Sequence, residues 1–344
     1  MATARQIRAL LKSYAEEDSE RFYSVAMQVA AHEARLGHGK LARELRALID
    51  EARSKRAVVK RRPSPVPLAA PRGDLAGLLS VSYPDVRLED MVLPEEVERK
   101  LRRVLREQRQ QAKLLIHALP PRAKVLLVGP PGSGKTMSTR ALAGELRLPL
   151  FTILLDGLIT KFMGETAAKL RLVFDAIRAT RGVYLFDEFD AIGGQRTLMN
   201  DVGEIRRVLN SFLHFLEEAE PTSLIVAATN HPDLLDPALF RRFDDVIEYS
   251  LPTADLAREA FKARLQGLDT GGVDWPRVVA AAEALSYADI VKACEDAAKE
   301  AVLGDTTSVS TETLLRAVAD RRIARGRRDR RQETTEQPPP KERV

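Results

Sequence analysis

The sequence predicts an α/β protein: a five-stranded parallel sheet with helical spacers, an all-helical C-terminal region and a small helical N-terminal unit. Three observations carry this. From Lys124 onward, short apolar runs alternate with helical patterns: KVLLV (124–128), LFTILL (150–155), VYLFD (183–187), SLIVAAT (223–229) and DVIEY (245–249). Several are apolar throughout, as strands buried on both faces of a parallel sheet are, and strands separated by helices build a doubly wound domain. GPPGSGKT (129–136) follows the first run and precedes a helical pattern from Met137 to Leu146. Finally, residues 251–320 read as helix throughout, with no strand pattern.

Taken in order, residues 1–54 form the helical unit. Ile7, Leu10, Leu11 and Tyr14 share a helical face, as do Phe22, Val25, Ala26, Val29 and Ala30, and then Leu41, Leu45, Leu48 and Ile49. Gly37 and Gly39 mark a turn. Residues 55–73 read as a linker, basic at first and then carrying Pro63, Pro65, Pro67 and Pro71, a composition that favours extended chain. Residues 74–250 form the α/β domain, led by a helix from Glu95 to His117 that ends before Pro120-Pro121. Residues 251–320 form a helical lid, and 321–344, with Pro338 to Pro340, read as a disordered basic tail.

Composition narrows the class. The 344 residues are 44% hydrophobic and 30% charged, the balance of a soluble globular protein. The longest stretch free of Asp, Glu, Lys and Arg is the twelve residues from Pro221 to Pro232. A membrane-spanning helix needs roughly twenty apolar residues, so no membrane association is expected. The N-terminus is charged from Arg5 and has no apolar signal core, so a cytoplasmic location is expected. A single cysteine, Cys294, excludes intrachain disulfides and metal sites built on paired thiolates. The net charge of +5 comes from short segments, RSKRAVVKRR (53–62) and the tail, rather than from a basic body.

The motifs carry the chemistry. GPPGSGKT fits G-x-x-x-x-G-K-[ST]: Pro131, Gly132, Ser133 and Gly134 let the backbone wrap a polyphosphate, with Lys135, Thr136 and Met137 opening the helix behind it. Lys135 can reach the β- and γ-phosphates and Thr136 can coordinate Mg²⁺, so ATP and Mg²⁺ are the expected ligands. VYLFDEFD delivers Asp187 and Glu188 to the C-terminal edge of a buried strand, where open parallel sheets bind ligands. Asp187 suits the metal shell, and Glu188 is placed to orient or deprotonate a water. Asn230 is the polar tip of SLIVAATN; it suits positioning of that water, or capping of the HPD turn that follows.

Together these motifs resemble the AAA ATPases, and within them the protein-remodelling clade of katanin and spastin, from about Tyr83 to Asp320. SYPDVRLEDMVLPEEV resembles the segment whose backbone contacts adenine, near Asp90 to Leu93, and ATN resembles the first sensor. DPALFRRFDDVIEY resembles the second region of homology, which implies that Arg241 and Arg242 are arginine fingers reaching a neighbouring subunit's nucleotide. KFMGE (161–165) resembles the first pore loop, which implies that Phe162 and Met163 grip extended polypeptide in an axial channel; GGQRTLMNDVG (193–203) would be the second. LSYADIVKACEDAA (285–298) resembles the lid helix, with Tyr287 standing where the family usually has Gly.

The resemblance implies a homo-oligomer, a hexamer in most of the family, that unfolds or remodels a protein substrate through its pore, with any protease or other effector on a separate chain. The alternative is a nucleic-acid-linked ATPase, a loader or helicase-like switch, which the basic segments suggest. No aromatics interleave with those arginines and no helix-turn-helix signature is evident, which weighs against nucleic acid as the partner. A non-hydrolysing scaffold would not need intact Lys135, Asp187, Glu188 and the arginine pair.

Overall fold

The computed structural model describes residues 26–27, 73–158, 163–190, 202–219 and 222–336, with side chains described at all of these except 163–164, 202–207 and 327–336. The chain divides into Met1–Pro67 and Leu68–Val344, and the second unit holds the sheet and the site. The helical unit expected over 1–54, apart from Ala26 and Met27, and the linker as far as residue 72 lie outside the described residues.

The strands are β1 (Leu79–Ser82), β2 (Lys124–Val128), β3 (Leu150–Ile153), β4 (Val183–Phe186), β5 (Leu224–Thr229) and β6 (Asp245–Glu248). The helices, in chain order, are α1 (Glu95–Arg109), α2 (Gln111–Ile116), α3 (Lys135–Leu146), α4 (Leu155–Leu158), α5 (Met163–Ala179), α6 (Val202–Glu218), α7 (Pro237–Phe240), α8 (Ala254–Arg264), α9 (Trp275–Ala281), α10 (Tyr287–Leu303) and α11 (Thr311–Glu336). The sheet order is β1-β3-β4-β5-β2-β6. The five expected strands are parallel, but β1 adds an antiparallel edge against β3, with Leu79 opposite Ile153 and Ser82 opposite Leu150. The sheet is therefore six-stranded and mixed, which corrects the five-stranded parallel expectation. Within β1, Leu79 is buried, Val81 half-buried and both serines exposed. An edge strand so short gives a faint version of the period-two signal.

Each central strand feeds two cores because alternate side chains point to opposite faces. Leu126, Val128, Tyr184, Phe186, Ile225 and Ala227 pack on one face, against α5 and α6. Val125, Leu127, Val183, Leu185, Leu224 and Val226 pack on the other, against α1 and α3. This double burial is why these strands read as unbroken apolar runs. The helix expected from Glu95 to His117 is interrupted at Gln110, whose N–H closes α1 onto Arg106 O and Glu107 O.

The lid helices α8 to α11 enclose a third core built on Phe261, Val278, Leu285, Ile290, Cys294 and Leu314. Their starts are capped by side chains: Thr253 accepts from Leu256 N, Asp274 from Arg277 N, and Ser286 forms a reciprocal capping box with Asp289. α11 runs to Glu336, where the sequence reading expects disorder from 321. Arg, Glu and Gln are good helix formers, and no proline intervenes before Pro338. Arg321 pairs with Asp296, while Arg322 and Arg325 donate to the Ala281 and Ala284 carbonyls, so these tail arginines bind the lid's own acceptors. Among the described residues no helix is long and apolar enough to cross a membrane.

Candidate active site

Parallel pairing places the C-terminal ends of β2, β4 and β5 side by side: Val128 stands opposite Thr229, and Phe186 opposite Ala227. The residues that follow, Gly129, Asp187 and Asn230, therefore leave the sheet at one edge. Two glycines of the loop after β2 meet separate constraints. Gly129 has φ 143°, and a Cβ there would lie 2.3 Å from the Tyr249 carbonyl oxygen of the chain leaving β6. Gly132 has φ 74°, and its Cβ would lie 2.5 Å from Ser286 Oγ of the lid. The loop thus passes between the sheet edge and the lid with no room for a side chain at Gly129 or Gly132.

Lys135, at the first turn of α3, is buried, and its Nζ folds back into the loop. It donates to Gly129 O at 2.7 Å, Pro130 O at 2.9 Å and Asn230 Oδ1 at 2.8 Å. Burial lowers its pKa from the ordinary 10.5 to about 8, against the opposing pull of the Asp187 and Asp190 carboxylates. Asn230, at the end of β5, is thereby tied to the loop that leaves the adjacent strand β2.

Thr136 Oγ1 donates to Asp187 Oδ2 at 2.8 Å. A hydroxyl and a carboxylate at that spacing are hard oxygen donors suited to a small divalent cation. Glu188 has φ 50°, a left-handed conformation that a non-glycine residue adopts only when its surroundings over-determine it. Here they do. Its N–H bonds Asp187 Oδ1 at 3.1 Å, and the next N–H, of Phe189, bonds Ala228 O at 2.9 Å. Phe189 is fully buried, 4.8 Å from Phe212 and 6.4 Å from Phe186 between ring centroids. The turn is locked by this plug, and it leaves Glu188 exposed on the cavity wall.

A second support was not legible in the motif. Thr229 Oγ1 donates to buried Asp190 Oδ1 at 2.9 Å and accepts from His231 N at 3.0 Å, which fixes the chain on either side of Asn230. The only trace of it in the sequence is the second Asp of DEFD, Asp190, which the structure buries together with Phe189 while Glu188 stays exposed. The lid closes the site from its other side, where Ala288 N donates to Gly132 O at 3.1 Å.

The result is a cavity of about 720 Å³ whose wall includes residues 131–137, Asp187, Glu188 and Asn230. The structure therefore brings together all the sequence-predicted loop, acidic and sensor residues, along with Asp90 to Leu93 of the leading segment. It does not bring Arg241 and Arg242 there. Both follow α7; Arg241 is exposed, and Arg242 pairs with Glu217 of α6. Phe162 lies outside the described residues, as does the 193–201 part of the second expected pore loop, and of Met163 the backbone alone, the start of α5, is described. Cys294 is buried in the lid, its thiol pushed up to about 12 by desolvation, which suits packing and not reactivity. Among the described residues no cluster of three or more His, Cys, Asp or Glu side chains could hold a metal ion.

Residues 125–251 match the family model described as ATPase family associated with various cellular activities (AAA). An uncharacterized AAA family ATPase of Sinorhizobium fredii, y4kL, is 33% identical over 93% of this chain and 96% of its own length. A proteasome-activating nucleotidase of Sulfurisphaera tokodaii is 36% identical over 58% of this chain and 53% of its own length. A 26S proteasome regulatory subunit S10B homolog of Arabidopsis thaliana is 34% identical over 58% and 52%. The chain thus spans about half the length of each of these last two relatives.

Proposed function

We infer that this chain, which belongs to the AAA family of ATPases and is an ATP hydrolase, couples ATP turnover to the unfolding or remodelling of a protein substrate. The observation that carries the reading is the convergence of Lys135, Thr136–Asp187, Glu188 and Asn230 on one cavity. The loop amides and Lys135 bind the β- and γ-phosphates. Lys135 already sits among oxygen acceptors that phosphate oxygens would replace. Thr136 and Asp187 would hold Mg²⁺, which would supply positive charge to neutralise the phosphate oxygens. Asn230 orients the attacking water, and Glu188 takes its proton.

The remodelling half of the reading draws on the relatives named as proteasome-activating nucleotidases and on the arginine pair. Arg241 and Arg242 are absent from their own subunit's cavity wall, which suits groups supplied in trans to a neighbouring nucleotide in a head-to-tail ring such as a hexamer. We place the protein beside the family's katanin- and spastin-like motors, with Phe162 and Met163 as the pore loop and residues 1–54 recruiting the substrate or a separate protease or effector chain. Nucleic acid is the weaker partner, since Arg321, Arg322 and Arg325 are engaged by the lid.

The test is ATP turnover by the full-length protein with an unfolded protein or with duplex DNA added. Stimulation by unfolded protein, lost in Phe162→Ala, supports threading. Stimulation by DNA alone would replace this reading with the nucleic-acid one.

A further inference from the structure

We propose that the ring of Tyr287 is the wall against which the nucleoside of a bound nucleotide packs, so that this residue sets affinity for base-bearing ligands while leaving the phosphate grip unchanged. The inference rests on the nucleotide reading of the cavity. Tyr287 is the first residue of α10, and both its neighbours are held against the phosphate loop. Ala288 N donates to Gly132 O at 3.1 Å, and a Cβ on Gly132 would stand 2.5 Å from Ser286 Oγ. A ligand whose phosphates fill residues 129–136 therefore leaves the loop past residue 287.

In that direction the lining adds apolar side chains beside the charged Arg264, Lys292 and Glu295. Met91 and Val92 come from the leading segment, Ala260 and Ala263 from α8, and Val291 from the next turn of α10. Tyr287 alone among the lining residues is aromatic. Its ring packs on the lid core as well as lining the cavity.

The tyrosine hydroxyl does not explain the side chain's presence. Buried tyrosines ordinarily find a hydrogen-bond partner, yet among the described residues this oxygen is buried without one. Burial, and the nearby Glu259 carboxylate, push the group up to about 12, so it stays neutral at ordinary pH. What remains is the π face, on which any base can stack. An aromatic wall of this kind favours a nucleoside over bare polyphosphate without reading hydrogen bonds on the base.

The experiment titrates the full-length chain, with Mg²⁺, against ADP and against inorganic tripolyphosphate, which has no nucleoside. Tyr287→Ala and Tyr287→Leu are expected to bind ADP about tenfold more weakly, with tripolyphosphate affinity unchanged. Tyr287→Phe is expected to match the wild type on both. Leucine fills the lid without an aromatic face, so it carries the comparison if the alanine variant melts early. ADP affinity unchanged in Tyr287→Leu, or an equal loss for ADP and tripolyphosphate, would overturn the proposal. A wild-type chain that binds neither ligand would instead overturn the nucleotide reading on which the proposal rests.

Discussion

Raising the pH should strip this protein of its nucleotide, and Lys135 says by how much. Burial holds its ammonium at a pKa of about 8 in the ligand-free protein. At pH 7 about nine-tenths of the molecules carry the charge, and at pH 9 about one-tenth do. Phosphate oxygens beside Nζ favour the charged form, so the bound state holds its proton to much higher pH. Between pH 7 and pH 9, affinity for Mg²⁺·ADP should therefore fall about tenfold, steepening toward tenfold per unit above pH 8. The nucleotide does not contribute, because a terminal phosphate with its second pKa near 6 is already ionised over this range. Titration calorimetry at constant ionic strength reads the profile. Lys135→Met should bind more weakly at pH 7, and its profile should be flat. A flat wild-type profile, or the same break in Lys135→Met, would refute the reasoning. Stability gives a second readout of opposite sign. The folded pKa lies below the ordinary 10.5, so between about 8 and 10.5 the unfolded chain binds the extra proton and the ligand-free protein gains stability as pH rises. That gain should be missing from Lys135→Met.

Two further outcomes test the site's assignments. Glu188→Gln should bind ATP normally and turn it over roughly 10²- to 10⁴-fold more slowly, because the water loses its base while the loop is untouched; steady-state phosphate release checks this, and wild-type turnover would remove Glu188 from the mechanism. Arg241→Ala should bind ATP but hydrolyse it poorly, and mixing it with Lys135→Ala should restore part of the activity at interfaces where an intact loop meets an intact arginine. No recovery on mixing, with Arg241→Ala fully active when diluted, would exclude a role in trans.

What was legible in the sequence follows a physical division. The strands that carry the site are buried on both faces, so β2, β4 and β5 appear as apolar runs that no other element explains. The phosphate loop is legible because its chemistry demands glycine where a Cβ would strike backbone, as at Gly129 against Tyr249 O. β1 had neither advantage, being short, at an edge and half exposed. The course of α11 beyond Asp320 was hidden for a related reason: its charge resembles a solvated tail, yet Arg321, Arg322 and Arg325 are held by lid acceptors distant in sequence.

The acidic motif shows where single-residue reading stops and why that matters for function. Asp187 and Glu188 announce themselves by charge, but the geometry that separates them belongs to their neighbours. Glu188 sits at φ 50° because Phe189 is drawn into a cage of Phe186 and Phe212 and bonds the β5 backbone through its N–H. Asp190 in turn grips Thr229, the residue before Asn230. Asn230 holds Lys135, and Lys135 holds the carbonyls of Gly129 and Pro130. The chain of contacts is closed, running from the acidic turn through the adjacent strand to the phosphate loop and back by Thr136 to Asp187. Phosphate oxygens that displace Asn230 from Lys135 would free its amide to meet the water that, in the proposed mechanism, Glu188 activates. Binding at the loop would then change the group that positions the nucleophile, with no movement of the sheet required.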